Sequence, residues 1–325
     1  MTTTTLTVRP ATDADILALA QLMSEANPRH PVTPQTWAHE IAELRGHSLG
    51  LHVAQWLAEE EGVARGMALT LQSPGMYHPD RYWAEVLVPA QHGRRGVGAQ
   101  LAATLGTHLR ARGAREILSG AYEEEPWAVK FLTRRGFSET LRYFDNVLEM
   151  SGFEASAWAG ESKLPGGVRA VSLAELTAEI GLDAAIAAYY AAFAEVREDV
   201  PRSSPPTPHT LEDFRTRLLN APQYFPEGTL LAVTEAGEVV ALSELRLNDT
   251  DPGRLDTGLT GTRRAWRRHG LALALKIAAL QLAKRRGVRE IWTGNATTNR
   301  PMLALNERLG FRPRPAYIEM RWGGV

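Results

Sequence analysis

The chain of 325 residues contains no cysteine. Disulfides, thiolate metal sites and a cysteine nucleophile are therefore excluded. It has no excess of charge of either sign: 36 Lys and Arg against 37 Asp and Glu give a net charge of −1. No global field recruits nucleic acid, so basic clusters need local explanations. No apolar run approaches membrane-spanning length. The opening stretch Met1–Pro10 lacks a basic segment followed by an apolar core, so no secretory leader is expected and the expected compartment is the cytoplasm. A Walker phosphate loop, with Gly-Lys-Ser/Thr, does not occur. His39-Glu40 has no second His at metalloprotease spacing, and the nine histidines are scattered, so no metal site is expected.

What the chain does have is an internal repeat. Arg94-Arg95-Gly96-Val97-Gly98, Gly113 and Gly136-Phe137 recur as Arg268-His269-Gly270-Leu271-Ala272, Gly287 and Gly310-Phe311, at a constant offset of 174 residues. That period is too long for a solenoid repeat and reads as a duplicated domain. The expected boundaries are 1–150 and 168–325, joined by a Gly-, Ser- and Ala-rich linker at 151–167. Periodicity gives each half the order β-α-α-β-β-β-α-β-α-β-β. This implies an α+β fold with one mixed, mostly antiparallel sheet flanked by helices. The stretch 173–197 reads as one helix, and 255–262 as a strand ahead of a helix at 271–286.

In both copies a basic, Gly-containing loop precedes a helix. Backbone N–H groups and the helix dipole then favour an anion, most often a phosphate. Gly96-Val97-Gly98 also begins a dinucleotide-type pattern, but Leu101 stands where its third glycine belongs. The arginines near 267 could equally be a solvated helix entrance.

These residues carry a resemblance. Each half resembles an N-acetyltransferase domain of the GNAT superfamily, and the whole chain resembles its tandem, two-domain type. The family signature Arg/Gln-x-x-Gly-x-Gly/Ala is matched in full by Arg267-Arg268-His269-Gly270-Leu271-Ala272. The resemblance implies that this loop holds the pyrophosphate of acetyl-CoA, with Thr260, Thr262, Asn295 and Asn299 as further cofactor contacts. Asn299 also suits a helix N-cap, and Asn295 a strand-end cap. Asn306 stands where the family often places a Tyr that protonates the departing thiolate, and an amide cannot be a general acid at neutral pH.

The first half is more degenerate. Arg94, Arg95, Gly96, Val97 and Gly98 keep the cradle, but Gly93, Glu125 and Leu132 replace the motif's Arg/Gln, Asn and Tyr. The second half is therefore expected to be the working copy. For the general base, several family members carry an acidic residue on the fourth strand, and counting back from Arg267 selects Asp256. Strand alternation would put Asp256 on one face with Gly258, Thr260 and Thr262; an edge carboxylate is the plainer reading. Glu244 is the reserve, and the first-half equivalent of Asp256 is Tyr82.

The function implied is acetyl transfer from acetyl-CoA to a primary amine of a small molecule or peptide, by direct attack. The expected protein needs no metal, nucleic acid or membrane, and is a monomer or homodimer. A rival expectation, drawn from the missing tyrosines, is a catalytically silent protein that binds or senses CoA.

Overall fold

A computed structural model describes residues 5–161 and 163–323. The first half runs β1 (Leu6–Pro10), α1 (Ile16–Ala26), α2 (Pro34–Gly46), β2 (Val53–Glu60), β3 (Val63–Leu71), β4 (Arg81–Leu87), α3 (Val97–Ala111), β5 (Glu116–Tyr122), α4 (Pro126–Thr133) and β6 (Ser138–Glu149). The second runs β7 (Val168–Ser172), α5 (Leu173–Ile180), α6 (Leu182–Glu198), α7 (Leu211–Asn220), β8 (Thr229–Thr234), β9 (Val239–Leu247), β10 (Arg254–Thr262), α8 (Leu271–Arg285), β11 (Glu290–Ala296), α9 (Arg300–Arg308), β12 (Arg312–Pro313) and β13 (Tyr317–Gly323). The architecture is α+β, with helices on both faces of mixed sheet. No described helix is long and apolar enough to cross a membrane.

The single helix expected over 173–197 is two. Gly181 adopts φ 84°, a conformation that breaks the helical ladder and that only glycine takes freely, so α5 ends and α6 begins there.

Two compact units emerge, and their membership is not that of the two sequence halves. The first contains residues up to Leu141, Ser204–Thr207 and the residues from Ile318 onward; the second contains Arg142–Ser203 and Pro208–Tyr317. Boundaries at 150 and 168 therefore do not separate the units. In the first unit β13 lies beside β5. In the second, residues 143–149 of β6 pair antiparallel with β11, from Tyr143↔Ala296 to Glu149↔Glu290. Each unit is completed by a strand from the other half of the sequence.

Within the first unit β1, β2, β3 and β4 are antiparallel neighbours. Leu101, Leu105 and Leu109 of α3 pack on Trp56, Ala68 and Ala84, and α1 and α2 cover the other face through Leu19, Leu22, Trp37 and Ile41. The second unit repeats this with β7, β8, β9 and β10. There Leu271, Leu275 and Leu280 of α8 pack on Ala241, Leu245 and Leu255, while Ile186, Tyr189 and Phe214 of α6 and α7 pack on Leu231 and Leu242. On the helices these side chains recur on one face, three to five residues apart, and on β9 Ala241 and Leu245, four apart, share a face of the strand.

Candidate active site

In both units one parallel strand pair is held over only three residues. In the second, Arg254–Asp256 pair with Glu290–Trp292. Beyond this β10 continues to Thr262 bonded to β9, and β11 to Ala296 bonded to β6, so the two strands part and leave a cleft. In the first, Arg81–Trp83 pair with Glu116–Leu118 before β4 and β5 part in the same way. Each splayed strand leads into the basic loop.

The two loops share one backbone signature. Arg268 and Gly270 have φ 67° and 74°, and Arg94 and Gly96 have φ 61° and 84°. Left-handed conformations at both positions, one of them non-glycine, curl the backbone so that successive N–H groups can converge on an anion. Gly270 and Gly96 occupy the N-cap positions of α8 and α3, with no side-chain cap on either helix. Nothing lies within 4 Å of where a Cβ would stand on either glycine. The loops are open cradles suited to an anion such as a phosphate. Leu271 is buried and anchors α8, as Val97 anchors α3, and Ala272 and Gly98 keep the first turns narrow.

The side chains around the second loop are less free than the motif implies. Arg267 is ion-paired to Asp199, and its Nε donates to the Thr262 carbonyl at 3.3 Å. Arg264 pairs with Glu198 at 3.0 Å and Asp199 at 2.8 Å, and Arg263 with Glu195 at 2.7 Å and with Glu238. The acids come largely from the last turn of α6, and Arg264 and Arg263 are held above the usual range by these hydrogen bonds. Arg268 is exposed with no carboxylate partner among the described residues. His269 turns its Nδ1 to the Trp266 carbonyl at 3.2 Å. In the first unit Arg95 pairs with Glu60 at 3.1 Å, and Arg94 is exposed.

The strand carrying Asp256 is bulged. Opposite β9 the register runs Asp256↔Arg246 and Thr257↔Leu245, then resumes at Thr260↔Ser243, so Gly258 and Leu259 together oppose Glu244. A bulge inserts one residue and reverses the alternation beyond it. The expectation that Asp256, Thr260 and Thr262 share a face is corrected accordingly. Asp256 lies on the face of Glu244 and Leu242, toward α6. Thr260 and Thr262 lie on the face of Ser243 and Ala241, toward α8. Thr260 Oγ1 is 3.1 Å from Ser243 Oγ. Asp256 is clamped: Arg254 donates to Oδ1 from Nε at 2.9 Å and Nη2 at 2.6 Å, and Asn248 donates to Oδ2 at 2.8 Å.

Glu244 occupies the bulge. It is buried, and Oε2 accepts from the Leu259 N–H at 2.9 Å and from Arg246 at 3.0 Å, while Oε1 accepts the Tyr189 hydroxyl. Burial and then the charge of Glu244 push the Tyr189 phenol well above its usual value of 10. Both residues line a cavity walled by Phe193, Phe214 and Tyr224, with Arg217 and Arg246 also at its edge. Asp256 is not among its lining residues. The sequence held Glu244 only in reserve and gave no sign of Tyr189, whose place on an apolar helix face reads as core.

Asn295 and Asn306 are brought together, with Asn306 Nδ2 donating to Asn295 Oδ1 at 2.6 Å. Asn306 is buried, and its Oδ1 has no hydrogen-bond partner. Asn299 sits at the N-cap of α9 without its side chain capping it.

The first unit lacks this apparatus. β3 and β4 pair without a bulge from Met67↔Leu87 to Leu71↔Trp83. Thr70 stands 174 residues before Glu244 and bonds the Trp83 carbonyl at 2.9 Å. Tyr82, the counterpart of Asp256, accepts from Arg112 at 3.3 Å. A half-buried carboxylate is present elsewhere on β4: Glu85 accepts from Trp83 Nε1 at 2.6 Å, and burial raises its pKa. No group of three or more His, Asp or Glu that could hold a metal occurs among the described residues.

The chain is similar to known proteins. The model of the acetyltransferase (GNAT) family matches residues 17–137 and 191–311. A mycothiol acetyltransferase of Thermobifida fusca (strain YX) is 27% identical over 321 residues, covering 95% of this chain and 94% of that protein. Among solved structures, a GCN5-related N-acetyltransferase from Sphaerobacter thermophilus superposes with a TM-score of 0.70 at 21% identity, over 98% of this chain and 95% of that one. A tandem GNAT protein from the clavulanic acid biosynthesis pathway gives 0.71 at 19% identity, over 99% and 100%. With both halves matched by the family model, the chain belongs to the acetyltransferase (GNAT) family, as a tandem member with two GNAT domains.

Proposed function

We propose that the second unit transfers the acetyl group of acetyl-CoA to a primary amine. The observation that carries this reading is the parting of β10 and β11 after Asp256 and Trp292, on a strand that leads into the open Arg268–Gly270 cradle. The relative named as a mycothiol acetyltransferase supports acetyl transfer.

Acetyl-CoA supplies an activated acetyl group on a thioester, so the protein needs no covalent intermediate. Backbone N–H groups of Gly270, Leu271 and Ala272 would hold its phosphates, with Arg268 as the unpaired cation beside them. The attacking amine must lose a proton. Glu244 is the carboxylate in the cavity, and the Tyr189 hydroxyl already points its proton at Glu244 Oε1. The amine proton passes to the Tyr189 oxygen as the Tyr189 proton moves to Glu244. The raised pKa of Tyr189 suits a relay that stays protonated between turnovers. Asp256, held by Arg254 and Asn248, orders the strand in this scheme, which departs from the expectation that it is the base. Asn306 can hydrogen-bond a sulfur but not protonate it, so water supplies that proton.

A second reading, a silent CoA-binding protein, is favoured by the amide at position 306. Release of free CoA thiol from acetyl-CoA in the presence of a panel of primary amines separates the two. Amine-dependent release supports the transferase. Binding of acetyl-CoA with no release for any amine supports the silent protein.

A further inference from the structure

The cavity beside Glu244 is small, and its walls do not give way easily. Its volume is about 90 Å³. A cavity of about 150 Å³ takes a benzene ring, and a water-sized group fills about 30 Å³. The space therefore accepts about three groups the size of a water or a methylene, and no ring.

Tyr189, Phe193, Phe214 and Tyr224 stand around it. Phe193 and Phe214 are 4.6 Å apart between ring centres, Tyr189 and Phe214 5.1 Å, and Tyr189 and Phe193 6.1 Å. Each of these three rings leans on the other two. Tyr189 is held further by its hydrogen bond to the buried Glu244. Widening the cavity thus means moving several packed rings at once. Glu244 and the Tyr189 hydroxyl give the nitrogen of a neutral amine, the form that attacks, its place. Its first carbons then lie against the rings. A methyl branch on those carbons would overpack the site, which costs binding as it does in any close-packed interior.

We infer that the acceptor presents its amine on an unbranched aliphatic chain, with the nitrogen at Glu244 and Tyr189, the first carbons between the rings, and anything larger outside the cavity. This rests on the second unit being the transferase with Glu244 as its base. It adds a substrate class to that reading: alkyl amines, or longer molecules that end in a straight aminoalkyl chain, rather than amines set on a ring or beside a branch.

Three amines test it on the full chain. n-Butylamine, isobutylamine and cyclohexylmethylamine all end in the same CH2–NH2 group, so their intrinsic reactivities toward a thioester are alike. They differ only from the second carbon onward. Turnover is followed by thiol release from acetyl-CoA, and binding of each amine by calorimetry with CoA present. n-Butylamine should be favoured over each of the others about tenfold or more in kcat/KM and in Kd, as expected of a site without room for an added methyl. Phe193→Ala removes a wall and should narrow both ratios toward one. Phe193→Leu opens less space and should narrow them in part. Thermal melting shows whether each variant is folded, and the wild-type ratios decide the matter without either. Equal handling of the three amines, no binding and no turnover of any, or a preference that both folded variants leave unchanged overturns the inference. Turnover of the branched or cyclic amine as fast as n-butylamine would leave the transferase reading standing while defeating this one. Preferential binding of n-butylamine without thiol release from any amine would do the reverse.

Discussion

A Cβ added to Gly258 would stand 2.0 Å from Oε2 of Glu244 and 2.8 Å from Nε of Arg246. The bulge on β10 thus exists around a buried carboxylate, and only a residue without a side chain lets the strand pass beneath it. Gly258→Ala should lower stability by about 1–3 kcal/mol, as overpacking does. It should also lower turnover, because the methyl displaces Glu244. Thermal melting together with thiol release checks both; a variant with the wild-type melt and rate would mean that Glu244 is not fixed by the bulge.

The two candidate carboxylates respond differently to amide substitution. Glu244→Gln should reduce kcat on the order of 10²–10⁴-fold at neutral pH, the usual contribution of a general base. Part should return at high pH, where the amine arrives neutral, and acetyl-CoA affinity should hold. Asp256→Asn weakens the hold on Arg254, itself only 6% exposed, so its main effect should be on the melt. Rates that fall further in Asp256→Asn than in Glu244→Gln would restore Asp256 as the base.

Lys276 is buried in α8 with no hydrogen-bond partner for Nζ, which lies 5.0 Å from the centre of the Phe311 ring. Burial lowers its pKa to about 7 from 10.5. Between these values the unfolded chain holds a proton that the folded one has released, so stability rises with pH through that window. Lys276→Met removes the penalty. It should stabilise the protein by ~1–4 kcal/mol at pH 7, with the gain shrinking toward pH 10. Denaturant titrations at the two pH values give the comparison, and a destabilised Met variant at pH 7 would show that the cation–ring contact outweighs burial.

In the first unit His52 and His108 face each other with Nε2 atoms 2.9 Å apart, their rings stacked at 5.0 Å. Burial, then the charges of Arg112 and His108, lower His52 to about 4; burial and Arg112 lower His108. The folded pair stays neutral where the unfolded one takes up protons. Stability contributed by the neutral pair is therefore complete above about 6.5 and declines as pH falls toward 4. His108→Gln should flatten this part of the dependence of the melting temperature on pH. An unchanged slope between pH 7 and 4.5 would count against a pair held neutral in the folded protein.

The sequence made the loops legible because their geometry is written in residue type. A left-handed N-cap needs glycine, and Gly96 and Gly270 supply it at matching positions. The order of elements followed from periodicity for the same reason. The bulge left a weaker mark, the glycine at 258 inside the strand, which does not say where the register shifts. Two residues opposed to one reverse the faces of Thr260 and Thr262, yet the local sequence alternates as if unbroken. Nor could Arg267 be seen to pair with Asp199, since the two are brought together only by the packing of α6. The completion of each unit by a strand from the other half is likewise a long-range choice, made between similar strands by tertiary packing.

The central claim is that the cradle of the second unit holds the acetyl donor. Gly270→Asp would place a carboxylate in it and Gly96→Asp would do so in the first unit, at positions with nothing within 4 Å of the added Cβ. Calorimetric titration of both variants with acetyl-CoA, read alongside turnover, is the most direct test. Loss of tight binding and of turnover in Gly270→Asp, with turnover retained in Gly96→Asp, is the result predicted. Unchanged acetyl-CoA affinity and turnover in Gly270→Asp, or their loss in Gly96→Asp alone, would contradict the account.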